Sequence, residues 1–512
     1  MVKPYKTLLI LLLLFVVVLL PTLFFPKNGI RFGSITFRYP NIRDLIGINS
    51  SISKTQLNPE IAFLDRIVDS TFNANLLLTK NSVFSLLTDT IYNNDTIYNI
   101  DSLKTFTADY LKSKINRLEF ADSTNKSLKS FFDALKNKQY NKKAIRVLHY
   151  GDSQIEGDRI TSYFRSRLQT KFGGGGVGLV HALPQNNQTT SLLQTTSSNW
   201  EKTTLADHNK TQAGINRFGA LEGFSSFTSS NNIFSKGTNE AWIRFKRIGG
   251  ETRTARRFDR IRIFYGYNPK PFIVELFSDG VTNDAELIPN TNKLAAISWE
   301  INQNTNMFDI KFKGDESPLI FGISLETDKG IVVDNIPIRG SSGIDFTKTD
   351  ITFMTDMLQM LNAKLIILQF GVNVVPHIVD SYKYYQIQLY NQIKALQAAL
   401  PETSIIMIGV SDVARKEGLQ YISYPNIELI RDAQKQAAFK ARIPFWDCYK
   451  AMGGKNSMAA WENANPSLAS KDFIHFTYRG ANLIAEMFYA ALMSEYERYL
   501  ENEETPKKSK VE

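Results

Sequence analysis

The fold is decided by the stretch VLHYGDSQIEGD, residues 147–158, in which an apolar run ends at a glycine and a serine follows. Gly151 and Asp152 are typical turn residues, and the apolar spacing of residues 160–172 predicts a helix directly afterwards. A sharp turn between a strand and a helix exposes a serine hydroxyl and directs backbone N–H groups towards a substrate. The stretch therefore makes Ser153 a candidate nucleophile, although an ordinary turn has the same tripeptide.

Beyond residue 331 the pattern alternates between strands and helices. Apolar runs typical of buried parallel strands occupy residues 364–370, 404–410 and 443–447. Helical patterns occupy residues 353–361, 382–399, 427–441 and 478–499. This order predicts an α/β domain with a doubly wound, flavodoxin-like parallel sheet, built from residues 141–198 and 331–497. In such sheets ligands bind beyond the carboxyl ends of the strands, which is where the Ser153 turn falls.

The segment between these two parts has a different pattern. Short alternating runs separated by Gly, Asn, Asp and Pro predict an antiparallel β-sandwich inserted at 199–330. Its aromatic residues fit either a carbohydrate-binding platform or an ordinary core. The glycine run at 173–178 follows a helix, which is the wrong order for a phosphate cradle. We predict a flexible loop near the mouth of a cleft there.

The N-terminal segment carries a localisation signal. Lys3 and Lys6 precede an apolar run at 8–20, which is typical of a signal peptide or signal anchor at 1–26. No A-x-A cleavage site follows, so we expect an uncleaved membrane anchor, with the rest of the chain outside the cytoplasmic membrane of a bacterium. A cleaved signal would instead give a secreted protein. Residues 27–140 are predicted to be a partly helical spacer, with helical spacing at 110–135, and residues 498–512 a charged tail.

Composition limits the remaining possibilities. The chain has 512 residues and a formal net charge of +10, which fits either an anionic envelope polymer as partner or ordinary surface charge. A single cysteine, Cys448, excludes an intramolecular disulfide, and its apolar surroundings predict a buried side chain. The sequence shows no zinc or two-metal ligand spacing, so we predict no metal. We also expect no cofactor and no nucleic-acid partner.

A second candidate stretch, KDFIHFTYRG at 471–480, stands just before the last predicted helix. An Asp three residues before a His is able to orient the imidazole through the ring N–H opposite the nucleophile. Such an arrangement would let His475 take the proton of Ser153 while Asp472 stabilises the imidazolium. The alternative is a helix-capping Asp beside a core histidine.

Taken in order, these stretches resemble the conserved blocks of the SGNH (GDSL) hydrolase superfamily. The matching segments are GDS at 151–153, IRGSS at 338–342, GVN at 371–373 and DFIH at 472–475. Two positions depart from the pattern: Gln154 replaces the usual leucine, and Val374 stands where an acidic residue is common. The resemblance implies an oxyanion hole made by the backbone N–H groups of Ser153 and Gly340 and the side-chain amide of Asn373. One such donor is worth about 3–4 kcal/mol.

A narrower resemblance concerns substrate. A β domain between the serine and glycine blocks, and the segment at 451–461, are similar to exported bacterial peptidoglycan and polysaccharide O-acetylesterases. This implies a serine esterase that acts on an acetylated carbohydrate polymer through an acyl-enzyme. Two alternatives stay open. One is an O-acetyltransferase of envelope polysaccharide, with an envelope acyltransferase as possible partner, and the other is a noncatalytic glycan-binding protein.

Overall fold

The computed structural model describes residues 20, 30–32, 35–37, 56–62, 64–66, 68, 116–122, 126–137, 143–184, 191–205, 216–227, 239–248, 253–278 and 281–504. The chain has two compact units, Met1–Gln56 and Leu57–Glu512. In the first unit, strands β1 (Ile30–Phe32) and β2 (Ile35–Phe37) form an antiparallel hairpin. Within the described ranges, no helix has the length and apolar character needed to cross a membrane. The predicted anchor at 1–26 lies outside these ranges except for Leu20.

The second unit contains eighteen further strands and eight helices with defined bounds among its described residues, and residues 59–62 and 64–66 are also helical. The strands are β3 (Ile145–Gly151), β4 (Gly178–Val180), β5 (Leu192–Thr196), β6 (Trp200–Thr204), β7 (Gly223–Phe227), β8 (Asn239–Arg247), β9 (Arg260–Asn268), β10 (Phe272–Ser278), β11 (Val281–Ile288), β12 (Thr291–Glu300), β13 (Met307–Gly314), β14 (Leu319–Glu326), β15 (Ile331–Pro337), β16 (Ala363–Gln369), β17 (Ser404–Ile408), β18 (Ala414–Glu417), β19 (Gln420–Ser423) and β20 (Phe445–Trp446). The helices are α1 (Lys129–Lys136), α2 (Thr161–Phe172), α3 (Ile351–Met360), α4 (Lys383–Ala399), α5 (Ile427–Lys440), α6 (Cys448–Ala451), α7 (Ser457–Glu462) and α8 (Tyr478–Glu504).

Five parallel strands form the sheet that carries the serine turn, in the order β15-β3-β16-β17-β20. All seven residues of β3 are buried, because helices cover both faces of the sheet. Successive β3 side chains point to opposite faces, so Val147 packs in the core with α2 and α8, and Leu148 in the core with α3, α4 and α5. The predicted α/β class with a parallel sheet is confirmed.

Two antiparallel sheets pack face to face beside the parallel one. Their strand orders are β11-β10-β13-β8-β5 and β12-β9-β14-β7-β6, and β4 also pairs with β14. A shared apolar core lies between them, with Phe245 and Val274 from the first sheet and Ile263 and Leu325 from the second. The predicted antiparallel domain is therefore present. Its sheets include β4 and β5, which precede residue 199 in the chain.

A buried ionic cluster connects the parallel sheet with the antiparallel domain. Arg146 in β3 donates to the Asp334 carboxylate in β15 at 2.7 Å and to the Ser324 hydroxyl in β14 at 2.8 Å. It also pairs with Glu326 at the end of β14. The Arg146 side chain is 1% exposed, so its charge is stabilised only by these partners.

The predicted helical pattern at 110–135 is wrong for residues 116–121. Helix α1 forms only at Lys129–Lys136, and the preceding segment is extended. Glu119 pairs with Phe445 of β20 through two backbone hydrogen bonds of 2.8 and 2.9 Å. This pairing satisfies backbone groups at the sheet edge and buries Leu118, so tertiary contacts override the local spacing.

The glycine run at 173–178 does not form the flexible loop predicted from the sequence. A Cβ at Gly174 would lie 2.3 Å from the carbonyl oxygen of Ile331, and one at Gly175 would lie 1.9 Å from that of Arg257. The run is therefore a closely packed connection between α2 and β4 rather than a free loop. Glycine is required there because other backbone segments approach it too closely for a side chain.

Candidate active site

The serine turn begins where β3 ends beside β15 and β16. Gly151 is the last residue of β3, and a Cβ at this position would lie 2.8 Å from the carbonyl oxygen of Gln369. The Asp152 N–H donates to that same carbonyl at 3.1 Å. The chain then turns at Ser153, makes a 3₁₀ turn at Glu156–Asp158 and enters α2. The strand–turn–helix unit predicted from the sequence is present, with this extra turn before the helix.

The structure brings Ser153, His475 and Asp472 into one hydrogen-bonded chain. His475 Nε2 lies 2.8 Å from Ser153 Oγ, and His475 Nδ1 lies 2.7 Å from Asp472 Oδ2. The histidine loop immediately precedes α8, whose start lies at the same edge of the sheet as the serine turn. The Ser153 residue is 9% exposed, whereas the His475 and Asp472 side chains are 23% and 46% exposed. The proton acceptor is therefore reachable from solvent at an open surface.

Asp472 holds both the loop and the ring. Its Oδ1 atom accepts the backbone N–H groups of Ile474 at 2.9 Å and His475 at 3.0 Å, while Oδ2 faces the imidazole. Burial acts to raise the pKa of Asp472, but the hydrogen bonds from the His475 backbone and ring outweigh it and lower that pKa. An ionised Asp472 accepts Nδ1–H and leaves the Nε2 lone pair for Ser153. Residues 472–475 are not helical and α8 begins at Tyr478, so Oδ1 stabilises the histidine loop and does not cap a helix.

The glycine and asparagine blocks flank the serine turn. The Ile338 N–H donates to the Gly151 carbonyl at 2.7 Å, which fixes the glycine block beside the end of β3. Gly340 lies in an exposed turn with φ of +83°. The Asn373 amide donates to the Ser341 carbonyl at 2.9 Å, and an amide carries a second N–H. That these groups form an oxyanion hole stays a prediction.

Asp152 ties the serine turn to the asparagine block. Its Oδ1 accepts the Gln154 N–H at 3.0 Å, and its Oδ2 accepts the Val372 N–H at 3.2 Å. Burial raises the pKa of Asp152 to about 7, against the opposing effect of these hydrogen bonds. Gly371 next to it has φ of +134°, and a Cβ there would lie 2.8 Å from Val410. The asparagine block therefore needs a glycine at position 371. Val374, which departs from the family pattern, directly follows Asn373 in this block.

Two residues at the site were not assigned a role from the sequence. The buried side chain of Gln154 contacts the backbone at Ile474 and Phe476, on either side of His475. The Arg159 guanidinium donates to the carbonyls of Ser153 and Phe476. The only signal in the sequence is that Gln154 stands directly after the candidate nucleophile, where the family pattern usually has a leucine.

Two other reactive side chains in the parallel-sheet domain, His149 and Cys448, are buried away from the triad. His149 hydrogen-bonds to Gln369 at 3.0 Å and Thr161 at 2.9 Å, and burial lowers its pKa to about 4. Cys448 is buried as predicted, and burial raises the pKa of its thiol. Among the described residues, no group of three or more His, Cys, Asp or Glu side chains is placed to hold a metal ion.

A cavity of about 110 Å³ lies beside the serine turn. Glu156 and Pro337 line it from the parallel-sheet domain, and Leu179, His181 and Lys202 line it from the antiparallel domain. The triad side chains lie outside this cavity. The cavity therefore lies between the two domains and is lined by none of the three triad residues.

The parallel sheet with a Ser-His-Asp chain at its carboxyl edge is the arrangement found in serine hydrolases. A solved structure of a peptidoglycan O-acetylesterase is similar to this chain, with 20% sequence identity and a TM-score of 0.58. The similarity covers 74% of this chain and 99% of that one. The predicted resemblance to SGNH hydrolases is thereby confirmed at the level of the fold.

Other solved structures show weaker similarity. An acetyl xylan esterase shares 16% identity over 31% of this chain and 81% of its own, with a TM-score of 0.25. A family two carbohydrate esterase from Clostridium thermocellum, in complex with cellohexaose, shares 8% identity over 51% of this chain and 93% of its own, with a TM-score of 0.23. No protein-family model matches the chain, and no curated protein matches it.

Proposed function

We propose that the protein is a serine esterase that removes O-acetyl groups from a cell-envelope carbohydrate. The observation that carries the proposal is the hydrogen-bonded chain from Ser153 through His475 to Asp472, with distances of 2.8 and 2.7 Å. A serine hydroxyl is a weak nucleophile unless an oriented base takes its proton, and this chain supplies both base and orienting carboxylate.

In the proposed reaction, Ser153 Oγ attacks the acetyl carbonyl carbon while His475 Nε2 takes the hydroxyl proton. The bond between the carbonyl carbon and the sugar oxygen then breaks, and His475 returns the proton to that oxygen. Water attacks the acetyl-serine in the second half-reaction, with His475 again as base, and acetate leaves. The N–H groups of Ser153, Gly340 and Asn373 are the proposed donors to the oxyanion.

We further propose that the acetyl group is carried on a carbohydrate polymer of the cell envelope. The solved structure that shares this fold, with a TM-score of 0.58, is that of a peptidoglycan O-acetylesterase. The partial exposure of the His475 and Asp472 side chains, at 23% and 46%, suits an acetyl group carried on a large polymer. The net charge of +10 is compatible with an anionic polymer and equally with ordinary surface charge. We extend the proposal to a membrane-anchored, outward-facing location, with an envelope acyltransferase as possible partner.

The test is acetate release from a panel of acetylated peptidoglycans and polysaccharides. We expect Ser153→Ala to abolish release while the protein stays folded. Ser162→Ala, which removes a buried hydroxyl from the first turn of α2, is the matched control and should keep its activity. Equal release by Ser153→Ala and the unmodified protein would contradict the proposal.

The same panel separates the two alternatives. Net gain of acetyl groups on a polymer, in the presence of an acetyl donor, would indicate an O-acetyltransferase that uses the same triad. Glycan binding without turnover of any ester would indicate a noncatalytic binding protein. The complete geometry of the triad argues against the noncatalytic alternative. The esterase and the transferase share that triad, so the gain or loss of acetyl groups on the polymer is the result that separates them.

A further inference from the structure

The side chain of Gln154 connects the serine turn with the histidine loop. Its Nε2 donates to the Ile474 carbonyl at 2.6 Å, and its Oε1 accepts the Phe476 N–H at 3.4 Å. These two groups belong to the peptide units on either side of His475. One amide therefore holds the backbone of the candidate base at both ends, while its own Cα neighbours that of the candidate nucleophile.

Gln154 is itself fixed from two further directions. Its second Nε2 hydrogen points to Ser411 Oγ at 3.1 Å, and its backbone N–H donates to Asp152 Oδ1 at 3.0 Å. The residue is only 2% exposed, so water does not compete for these hydrogen bonds. A buried amide with every polar group satisfied has one well-defined position.

The histidine loop requires support from outside itself. Phe473 has φ of +58°, an uncommon conformation for a residue with a bulky side chain. Such a conformation persists only when surrounding contacts maintain it. The Phe473 ring stacks on Tyr421 with 3.6 Å between ring centroids, and its carbonyl accepts the Ala414 N–H. These contacts hold one side of the loop, and Gln154 holds the side that faces Ser153.

We infer that Gln154 is a positioning residue for the proposed esterase reaction, holding His475 Nε2 within hydrogen-bonding distance of Ser153 Oγ. The inference rests on the proposed function and adds to it a residue that touches neither substrate nor reacting atoms. It also explains a departure noted in the sequence. The leucine expected at position 154 has no donor or acceptor for the histidine loop, so this chain uses a polar connection instead.

Three variants test the inference. Gln154→Leu removes all three side-chain hydrogen bonds. Gln154→Glu keeps an acceptor for the Phe476 N–H but places a carboxylate oxygen against the Ile474 carbonyl. Gln169→Leu is the matched control, because this amide is equally buried and donates to two backbone carbonyls, of Gly176 and Ile331, at the opposite end of the parallel sheet.

For each variant, kcat and KM for an aryl acetate are measured, together with the rate of Ser153 labelling by a fluorophosphonate and the thermal midpoint. We expect Gln154→Leu to lower kcat and the labelling rate about 100-fold with KM little changed, because a displaced base lowers the rate without altering substrate contacts. Gln169→Leu should lower the thermal midpoint by a similar amount and leave kcat near that of the unmodified protein.

The pH profile adds a readout that a merely structural role would not move. When it is protonated, the carboxyl group introduced by Gln154→Glu has both a donor and an acceptor, as the amide does. The kcat of Gln154→Glu relative to the unmodified protein should therefore rise as pH falls. A constant ratio, or a kcat for Gln154→Leu within threefold of the unmodified value, would overturn the positioning role. Absence of labelling at Ser153 in the unmodified protein would overturn the proposed function, and with it the role of Gln154.

Discussion

Asp472→Asn is the change whose consequence follows most directly from the geometry. An asparagine oxygen at the Oδ1 position would still accept the N–H groups of Ile474 and His475, at 2.9 and 3.0 Å in the structure. The NH₂ group would then take the place of Oδ2, which lies 2.7 Å from His475 Nδ1. The loop is thus expected to keep its shape while the partner of the imidazole changes from an acceptor to a donor.

The expected decrease in kcat follows from the tautomer of His475. A donor opposite Nδ1 favours the imidazole form that is protonated on Nε2, which cannot take the proton of Ser153. In a serine triad this loss lowers kcat by about 10⁴-fold. Asp472 is half exposed, so rotation of the new amide allows part of the population to recover, and we expect a decrease of about 10²–10⁴-fold.

The assay is kcat for aryl acetate hydrolysis, with circular dichroism as the check on folding. Asp350→Asn is the matched control, since Asp350 Oδ1 also accepts two backbone N–H groups, at the start of α3, without contacting a histidine. It should leave kcat unchanged. A kcat for Asp472→Asn within threefold of the unmodified protein would refute the assignment of Asp472 as the residue that orients His475.

Three further outcomes are expected. Asn373→Ala should lower kcat about 10²–10³-fold with KM nearly constant, as measured by steady-state kinetics, because one oxyanion donor is lost. Arg146→Ala should reduce the free energy of unfolding by about 3–5 kcal/mol in urea titrations, because Asp334 is left buried without its counter-charge and Glu326 keeps only the longer contact with Arg262. The pKa of Asp152 is raised from 3.8 to about 7, so the folded state binds its proton more tightly than the unfolded state. Its contribution to stability should therefore fall as pH rises from about 4 to about 7, and Asp152→Asn should flatten that slope.

Local pattern was enough to predict the elements that carry the site. Continuous apolar runs placed β3, β16 and β17 within a few residues of their observed bounds. A strand that is buried on both faces has apolar residues at nearly every position, so the sequence pattern identifies it directly. Ser153 was predicted as nucleophile from the turn residues before it, and His475 was predicted as base from the aspartate three residues earlier. Their contact could be expected once both were placed at the same sheet edge.

Long-range pairing was beyond the reach of local pattern. The helical spacing at 110–135 did not anticipate that Glu119 pairs with Phe445, more than 300 residues later. The glycine run gave no indication that Ile331 and Arg257 approach it so closely. Gln154 was visible only as a departure from an expected leucine, since its partners lie 320 residues away in the chain. Each of these features depends on which distant segment lies alongside, and residue spacing does not encode that.

The central claim is that Ser153 carries the acetyl group during turnover. The most direct measurement is mass spectrometry of the peptide that contains Ser153, after rapid acid quenching of the protein mixed with an acetylated substrate. We predict one acetyl group on Ser153 while substrate is present, its disappearance once the substrate is consumed, and no acetyl group on this peptide in Ser153→Ala. Continued acetate release with no acetyl group on Ser153, and an undiminished rate in Ser153→Ala, would contradict the account.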